Sequence, residues 1–260
     1  MRVFIRFLMA VTAVAVCGAS PLAADDVSAT AGTHAAPAAK ESAAADALAK
    51  LGVPMHKDPA GAVRWIEAVN GELTDEAMAL LPSLPALEWL EVGGGKVTPA
   101  GVAHLKDCTA LKRLYIHDVA LGGDGLEWLG RLDKLEALSL QRTGVGAAVL
   151  KNVKAPNLTV LNLSGNPVKD DALEYAAGIK GLEVLSLADT QVTGAGLQKL
   201  RGMARLNELN LMRCSVYDQD IDVFLTMPNL RIVYAAGSSV SGYGVQDVVM
   251  RFPTLAIFIN

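Results

Sequence analysis

The side chains that could do chemistry are few in this chain, and none is spaced for it. His117 stands beside Asp118, a pairing that can orient an imidazole as a general base. No Ser or Cys is in evident reach to serve as its nucleophile, so the pair reads as a surface contact. The run Asp218-Gln219-Asp220-Ile221-Asp222 begins like a calcium loop. Such a loop needs Gly at its sixth place and Glu at its twelfth, where Val223 and Asn229 stand, so these acids read as a solvated, capping start of a helix. Gly93-Gly94-Gly95-Lys96 lacks the spacing of a phosphate-cradling loop. Gly237-Ser238-Ser239-Val240-Ser241 lacks the closing Gly of a nucleophile elbow. His34, His56, His104 and His117 fall in different segments, with no zinc-ligand spacing among them. The absence of a Cys-x-x-Cys-His motif excludes c-type haem. No catalytic residue, metal ligand or cofactor is expected. Asn157-Leu158-Thr159 and Asn162-Leu163-Ser164 match glycosylation sequons, which matter only in a eukaryotic secretory pathway.

The elements that would position any site have a plainer signature. Hydrophobic residues make up 52% of the 260, aromatics only 5%, and Leu, Val and Ala dominate, which suits repeated layers better than one irregular core. Arg2 and Arg6, the apolar run from Phe7 to Val16, and small residues ending at Ala24 before Asp25-Asp26 form the three parts of a secretory signal. The apolar run is short for a membrane span. Cleavage near Ala24 is the favoured reading; lipidation at Cys17 and an uncleaved anchor are the alternatives. Without residues 1–24 the bases fall from 23 to 21 against 27 acids, a net charge of -6. That balance argues against nucleic acid and against anionic lipid as partners. Residues 25–45 read as a disordered Ala-rich linker, followed by an N-terminal cap over 46–62 that combines a short helix, begun near Ser42 and ended at Gly52, with a hairpin strand.

From Val63 onward the chain repeats. LEWLEVGGGKV from Leu87, LKRLYIHDVAL from Leu111, LEALSLQRTGV from Leu135, LTVLNLSGNPV from Leu158, LEVLSLADTQV from Leu182 and LNELNLMRCSV from Leu206 are copies of one frame. VRWIEAVNGEL precedes them, a looser copy starts at Leu230, and LAIFIN from Leu255 reads as a half-copy. The leading positions are spaced 24, 24, 24, 23, 24, 24, 24 and 25 residues apart. A register held that long means stacked structural repeats.

The pattern L-x-x-L-x-L-x-x-(T/N/C/S)-x-(V/L) resembles the leucine-rich-repeat family. ADTQVTGAGLQKL, residues 188–200, resembles its cysteine-containing subclass, seen in F-box partner proteins and in exported bacterial proteins. The resemblance covers residues 63–260. It implies an α/β solenoid of about eight repeats and a terminal strand, curved like a horseshoe, with a parallel sheet on the concave face and short helices or 3₁₀ turns on the convex face. It implies a binding scaffold and names no ligand.

Alternation along a strand sends Leu138 and Leu140 inward and Ser139 and Gln141 outward. Leu197 and Leu200 reach the core from the return path. Thr74-Asp75, Thr98-Pro99, Asp170-Asp171 and Thr193 are expected N-caps, and the ninth position of each coil, Thr143, Asn166, Thr190, Cys214 and Ser238 among them, is expected to bond to the next turn's backbone. Cys108 and Cys214 lie five coils apart, about 24 Å at ~4.8 Å per strand, so both are expected as unpaired thiols, with Cys214 buried and inert. The outward positions yield a candidate ligand surface: Trp65, Glu67, Trp89, Glu91, Arg113, Tyr115 and His117 as an aromatic and acidic patch with Glu88, then Ser139, Gln141, Asn162 and Asn210 as a polar ladder, then Tyr234. Either that patch docks a protein or peptide of basic or aromatic character, or the two Trp pack as core beneath the cap; both readings stand at this point. Residues 256–259 read as a bare apolar edge strand that permits weak self-association. The function expected is a non-catalytic protein-interaction scaffold, exported to a periplasm or secreted. An F-box-like substrate adaptor and a non-catalytic subunit of an envelope enzyme complex are the alternatives.

Overall fold

The structure, a computed structural model, describes residues 39–94, 96–122 and 126–259. The expected signal, Cys17 and most of the Ala-rich stretch lie outside these residues. Within them, ten strands follow one another in sequence order across a single sheet. They are β1 (Met55–Lys57), β2 (Val63–Ala68), β3 (Trp89–Gly93), β4 (Arg113–His117), β5 (Ala137–Gln141), β6 (Val160–Asn162), β7 (Val184–Ser186), β8 (Glu208–Asn210), β9 (Ile232–Tyr234) and β10 (Ala256–Phe258). β1 runs antiparallel to β2, and every later pairing is parallel, as stacked coils require. The sheet register steps by whole repeats: Trp65 faces Trp89, which faces Arg113, which faces Ala137. The one short repeat is absorbed in the 3₁₀ turn Ala147–Asn152, so Ala137 still meets Val160 at the same position. This is the α/β leucine-rich-repeat solenoid that the pattern implied.

Inward residues from strands and return paths make one continuous core. Leu138, Leu140, Leu161, Leu163, Leu185, Leu187, Leu197 and Leu200 are all fully enclosed. Because each coil hides its apolar face only against its neighbours, stability is a sum over adjacent coils. Two features of the sequence are corrected here. The helix Ala39–Lys50 begins inside the stretch expected to be linker. Glu41, Ala44, Ala45 and Leu48 are buried, and Glu41 Oε1 accepts the Val63 backbone N–H at 3.3 Å. That spacing, i, i+3, i+4, i+7, is a helical stripe whose small side chains disguised it. Gly52, at φ 76°, ends the helix. The second correction is at the far end: Ala256 faces Ile232, a step of 24 and not 25, which places Phe258 opposite Tyr234 on the outer face.

The N-caps work across coils. Thr74 and Thr98 cap their own helices, accepting from Ala77 N at 3.3 Å and Ala100 N at 3.2 Å. Asp170, expected as a local cap, instead accepts from the N–H and hydroxyl of Thr193 one coil later, both at 2.7 Å. Asp75 serves Thr98 and Asp218 serves Ser241 the same way. A β-carbon at Gly101, Gly196 or Gly244 would collide with these carboxylates, which explains the Gly three residues after Thr98, Thr193 and Ser241. Asp171, not Asp170, bonds its own helix start.

Ninth-position side chains bond to backbone within their own coil or in the preceding one; their forward contacts, Thr143 to Asn166 and Thr190 to Cys214, are between side chains at 3.5 Å. Thr143, Thr190 and Ser238 donate to the carbonyls of Leu140, Leu187 and Ala235. Asn166 is the fullest hub: its Oδ1 accepts from the N–H groups of Thr143, Gly144 and Val145, and its Nδ2 donates to Leu140 O at 2.6 Å and Leu163 O at 2.8 Å. Cys108 and Cys214 are buried free thiols, and Cys214 Sγ donates to Leu187 O at 3.0 Å. Burial pushes the Cys108 thiol up to about 12 and raises that of Cys214.

Candidate functional site

Counting from the leading Leu of each coil, the third and fifth residues project from the outer, concave face of the sheet while the fourth and sixth enter the core. At the third position the row reads Trp65, Trp89, Arg113, Ala137, Val160, Val184, Glu208, Ile232, Ala256. At the fifth it reads Glu67, Glu91, Tyr115, Ser139, Asn162, Ser186, Asn210, Tyr234, Phe258. Parallel in-register pairing makes each row a ladder of direct neighbours.

Over the first three coils the ladder is aromatic. His56 on β1 stacks on Trp65 with centroids 4.5 Å apart, and Trp65 stacks on Trp89 at 4.4 Å and 11°. Tyr115 closes the row at 5.9 Å, tilted by 51°, and the Arg113 guanidinium lies 5.5 Å from the Trp89 ring. The two Trp therefore belong neither to the core nor to an open platform. They are half-buried on the outer face, and the cap adds His56 to their row instead of covering it. Their π-faces are occupied by each other, so what the ladder offers a partner is ring edges.

The acids beside this ladder are less charged than their number implies. Glu88 is engaged by Arg64 at 2.8 Å and Lys112 at 3.2 Å. Glu91 faces Glu67 in register and is only 5% exposed. Burial, and then the neighbouring Glu67 carboxylate, push the Glu91 carboxyl up to about 7. His117 lies so closely over Gly93 that a β-carbon there would strike its ring. Its Nε2 sits 3.7 Å from Glu91 Oε1 and its Nδ1 is 3.0 Å from Asp118 Oδ2. Asp118 is also held by Arg142 through two bonds of 2.6 and 2.7 Å, which depresses its carboxyl to about 2. Burial pushes the Tyr115 phenol up to about 12. The imidazole is thus fixed between two carboxyl groups.

The middle of the face is polar but committed. Ser139, Asn162 and Asn210 are buried by their row neighbours, and Gln141 is half-buried. Asn162 Oδ1 accepts Ser164 N at 2.9 Å, Asn210 Oδ1 accepts Met212 N at 3.1 Å, and the Ser164 and Ser186 hydroxyls share a 2.8 Å bond. Toward the last coils Tyr234 and Phe258 stack at 5.5 Å. Phe258 escaped the sequence reading because its coil was phased one residue off. Glu208 escaped it too; the available signal was a single acid in a third-position row that is otherwise apolar from Ala137 onward. It is buried, and its Oε1 has no hydrogen-bond partner among the described residues. Also unforeseen is the eighth position, which is left-handed in seven consecutive coils: Gly94, Asp118, Arg142, Gly165, Asp189, Arg213 and Gly237. Arg142 and Arg213 each grip the Asp of the preceding coil and lie across the Gly of the next, a clasp used twice.

Among the described residues no three His, Cys, Asp or Glu side chains gather to hold a metal ion, and no helix is long and apolar enough to cross a membrane. The Asp218–Asp222 acids are engaged in capping and pairing, with Ser241, Tyr217 and Arg251.

A family model described as a leucine-rich repeat matches residues 154–175. Those residues span the end of one return path, β6, the Asn166 hub and the start of the next helix. Among solved structures, the chain is similar to internalin C2 of Listeria monocytogenes, with a TM-score of 0.59 and 20% identity over 85% of this chain and 93% of that one. The matched repeat, the sheet register and this likeness agree on a leucine-rich-repeat solenoid fold.

Proposed function

We propose that the chain is a non-catalytic, exported scaffold that docks a polypeptide partner on the outer face of its first three coils. The observation that carries this reading is the ladder His56–Trp65–Trp89–Tyr115, which lays half-buried aromatic rings along the outer sheet face beside Glu67 and Glu91. Large, rigid, half-buried aromatics with adjacent polar groups are what concentrates binding energy in protein interfaces. The partner segment is apolar or aromatic, with a donor group for Glu67. It is less strongly basic than a bare count of acids implies, because Glu88 is already paired and Glu91 is largely desolvated. Export rests on the Arg2 and Arg6 n-region and the apolar run behind it, and it places the partner in an envelope or outside the cell.

Affinity capture with the tagged full chain from its own source, followed by mass spectrometry, identifies the partner. Trp89→Ala and Glu91→Lys, each shown to be folded by far-UV circular dichroism, are then expected to weaken that partner at least about tenfold. Unchanged affinity in both folded variants ends the reading.

A further inference from the structure

The second buried acid of the outer face lies far from the aromatic ladder and in different company. Glu208 is the third-position residue of β8, with Val184 in register on β7 and Ile232 on β9. Leu209 beside it enters the core, so Glu208 stands on the outer face with Asn210. It retains 5% of its surface, and its Oε1 is enclosed with no hydrogen-bond partner among the described residues. A carboxyl in that condition is a liability to folding, because a desolvated acceptor left unbonded has lost its water without gaining a partner. A Val or Ile there would continue the row that Val160, Val184 and Ile232 already form. Fold-building alone therefore gives no reason for an acid at this place. Other buried polar side chains of the outer face, Asn162, Ser164, Ser186 and Asn210, have hydrogen-bond partners.

We propose that Glu208 is a recognition site for the primary ammonium of a lysine-like side chain carried by a bound polypeptide. The inference rests on the outer face being a docking surface, and it names a second anchor on that face. The chemistry selects among cations. An ammonium on an aliphatic stem lays its methylenes along Val184 and Ile232 while its charge meets one carboxyl oxygen. A guanidinium makes its strongest contact through two parallel bonds to both oxygens of a carboxylate, and the enclosure of Oε1 denies it the second. A partner holding both sites spans β3 to β8, five strand steps or about 24 Å at ~4.8 Å each, which is roughly seven residues of extended chain.

The test uses the full chain and two acetylated, amidated pentapeptides, Ala-Val-Lys-Val-Ala and Ala-Val-Gln-Val-Ala, titrated by NMR with ¹³C-labelled Glu side chains. The Lys peptide is expected to bind with a millimolar or better Kd and to shift the Glu208 carboxyl resonance. The Gln peptide should bind at least tenfold more weakly. Glu208→Gln should lose the same factor, and Glu174→Gln, at an exposed carboxyl on a return-path helix, should retain full binding. Glu208→Val should be at least as thermally stable as the parent. No binding of the Lys peptide, equal binding of the Gln peptide, or equal binding by Glu208→Gln overturns the proposal. A fall in melting temperature in both Glu208 variants also overturns it, since the carboxyl would then belong to the fold. These outcomes are separate from the partner's response to Trp89→Ala: loss there with no Glu208 effect leaves the aromatic docking reading intact and removes this one.

Discussion

The first three coils and the last three share one backbone repeat and present opposite chemistry at the same two positions. At the third position Trp65, Trp89 and Arg113 give way to Val184, Glu208 and Ile232; at the fifth Glu67, Glu91 and Tyr115 give way to Ser186, Asn210 and Tyr234. Among the described residues, the outer sheet face of each half holds one buried carboxyl, and burial pushes both up to about 7. Glu91 sits among titratable neighbours, Glu67, His117 and Tyr115, and Glu208 between two aliphatic side chains. A parallel in-register sheet makes this division possible, because outward residues touch only their row neighbours. The core can stay constant while the outer face changes from coil to coil.

The largest effect is expected where the halves are joined. Asn166 ties the fourth coil to the fifth, bonding three N–H groups with one oxygen. Asn166→Ala leaves those donors buried and unpaired and is expected to cost at least about 3 kcal/mol. Leu163→Ala, a central cavity, should cost about 2–5 kcal/mol. All three Trp, at 65, 89 and 128, lie before this joint. Urea unfolding followed by Trp fluorescence and by circular dichroism is expected to coincide in the parent and to diverge in Asn166→Ala. Coincident curves in the variant would break the picture of separable halves. Next in size is the loss of binding in the first half: Trp89→Ala should weaken the captured partner by about 2 kcal/mol, roughly thirtyfold.

A smaller effect concerns pH, where the two halves should behave alike. Glu91 and Glu208 bind protons more tightly folded than unfolded. Their contribution is fully present below the ordinary carboxyl value of 4.5 and is lost as pH rises through about 7. Thermal stability should therefore fall between pH 5 and pH 8, by roughly 1–3 kcal/mol per group. Glu91→Gln and Glu208→Gln should each flatten that slope, and a slope unchanged in both would contradict the burial account. The opposite sign holds for Asp118, depressed to about 2 by Arg142, whose contribution is lost only as pH falls toward that value. The smallest effect is chemical: Cys108 and Cys214 should react with a thiol reagent only after unfolding, and prompt labelling of either in the folded chain would show that its coil opens.

What could be read from the sequence follows from how a repeat encodes structure. Inward Leu positions, coil number, strand register and the free thiols were legible because the apolar period is insistent and strand spacing converts sequence distance into length. The N-terminal helix was obscured because Ala44 and Ala45 are too small to advertise a buried stripe. Phe258 was misplaced because Leu255, though buried, is one residue out of the frame of Leu230. The outer residues were legible as a set but not in their state: only three dimensions reveal that Trp65 and Trp89 cover each other's faces, that Glu88 is paired, and that Asn162 and Asn210 are turned to the backbone. The clasp of Asp118 and Arg142, repeated by Asp189 and Arg213, needed knowledge that the eighth position is left-handed, which its three Gly could have signalled.

The most direct test of the central claim, that partners dock on the outer face of the first coils, is ¹⁹F NMR of the chain labelled with 5-fluorotryptophan. Trp65 and Trp89 report the outer face, and Trp128, buried in the return turn Glu127–Arg131, reports the opposite side. Saturation with the captured partner should shift the Trp65 and Trp89 resonances and leave Trp128 in place. A shift confined to Trp128, with the ladder resonances unmoved, would contradict the account.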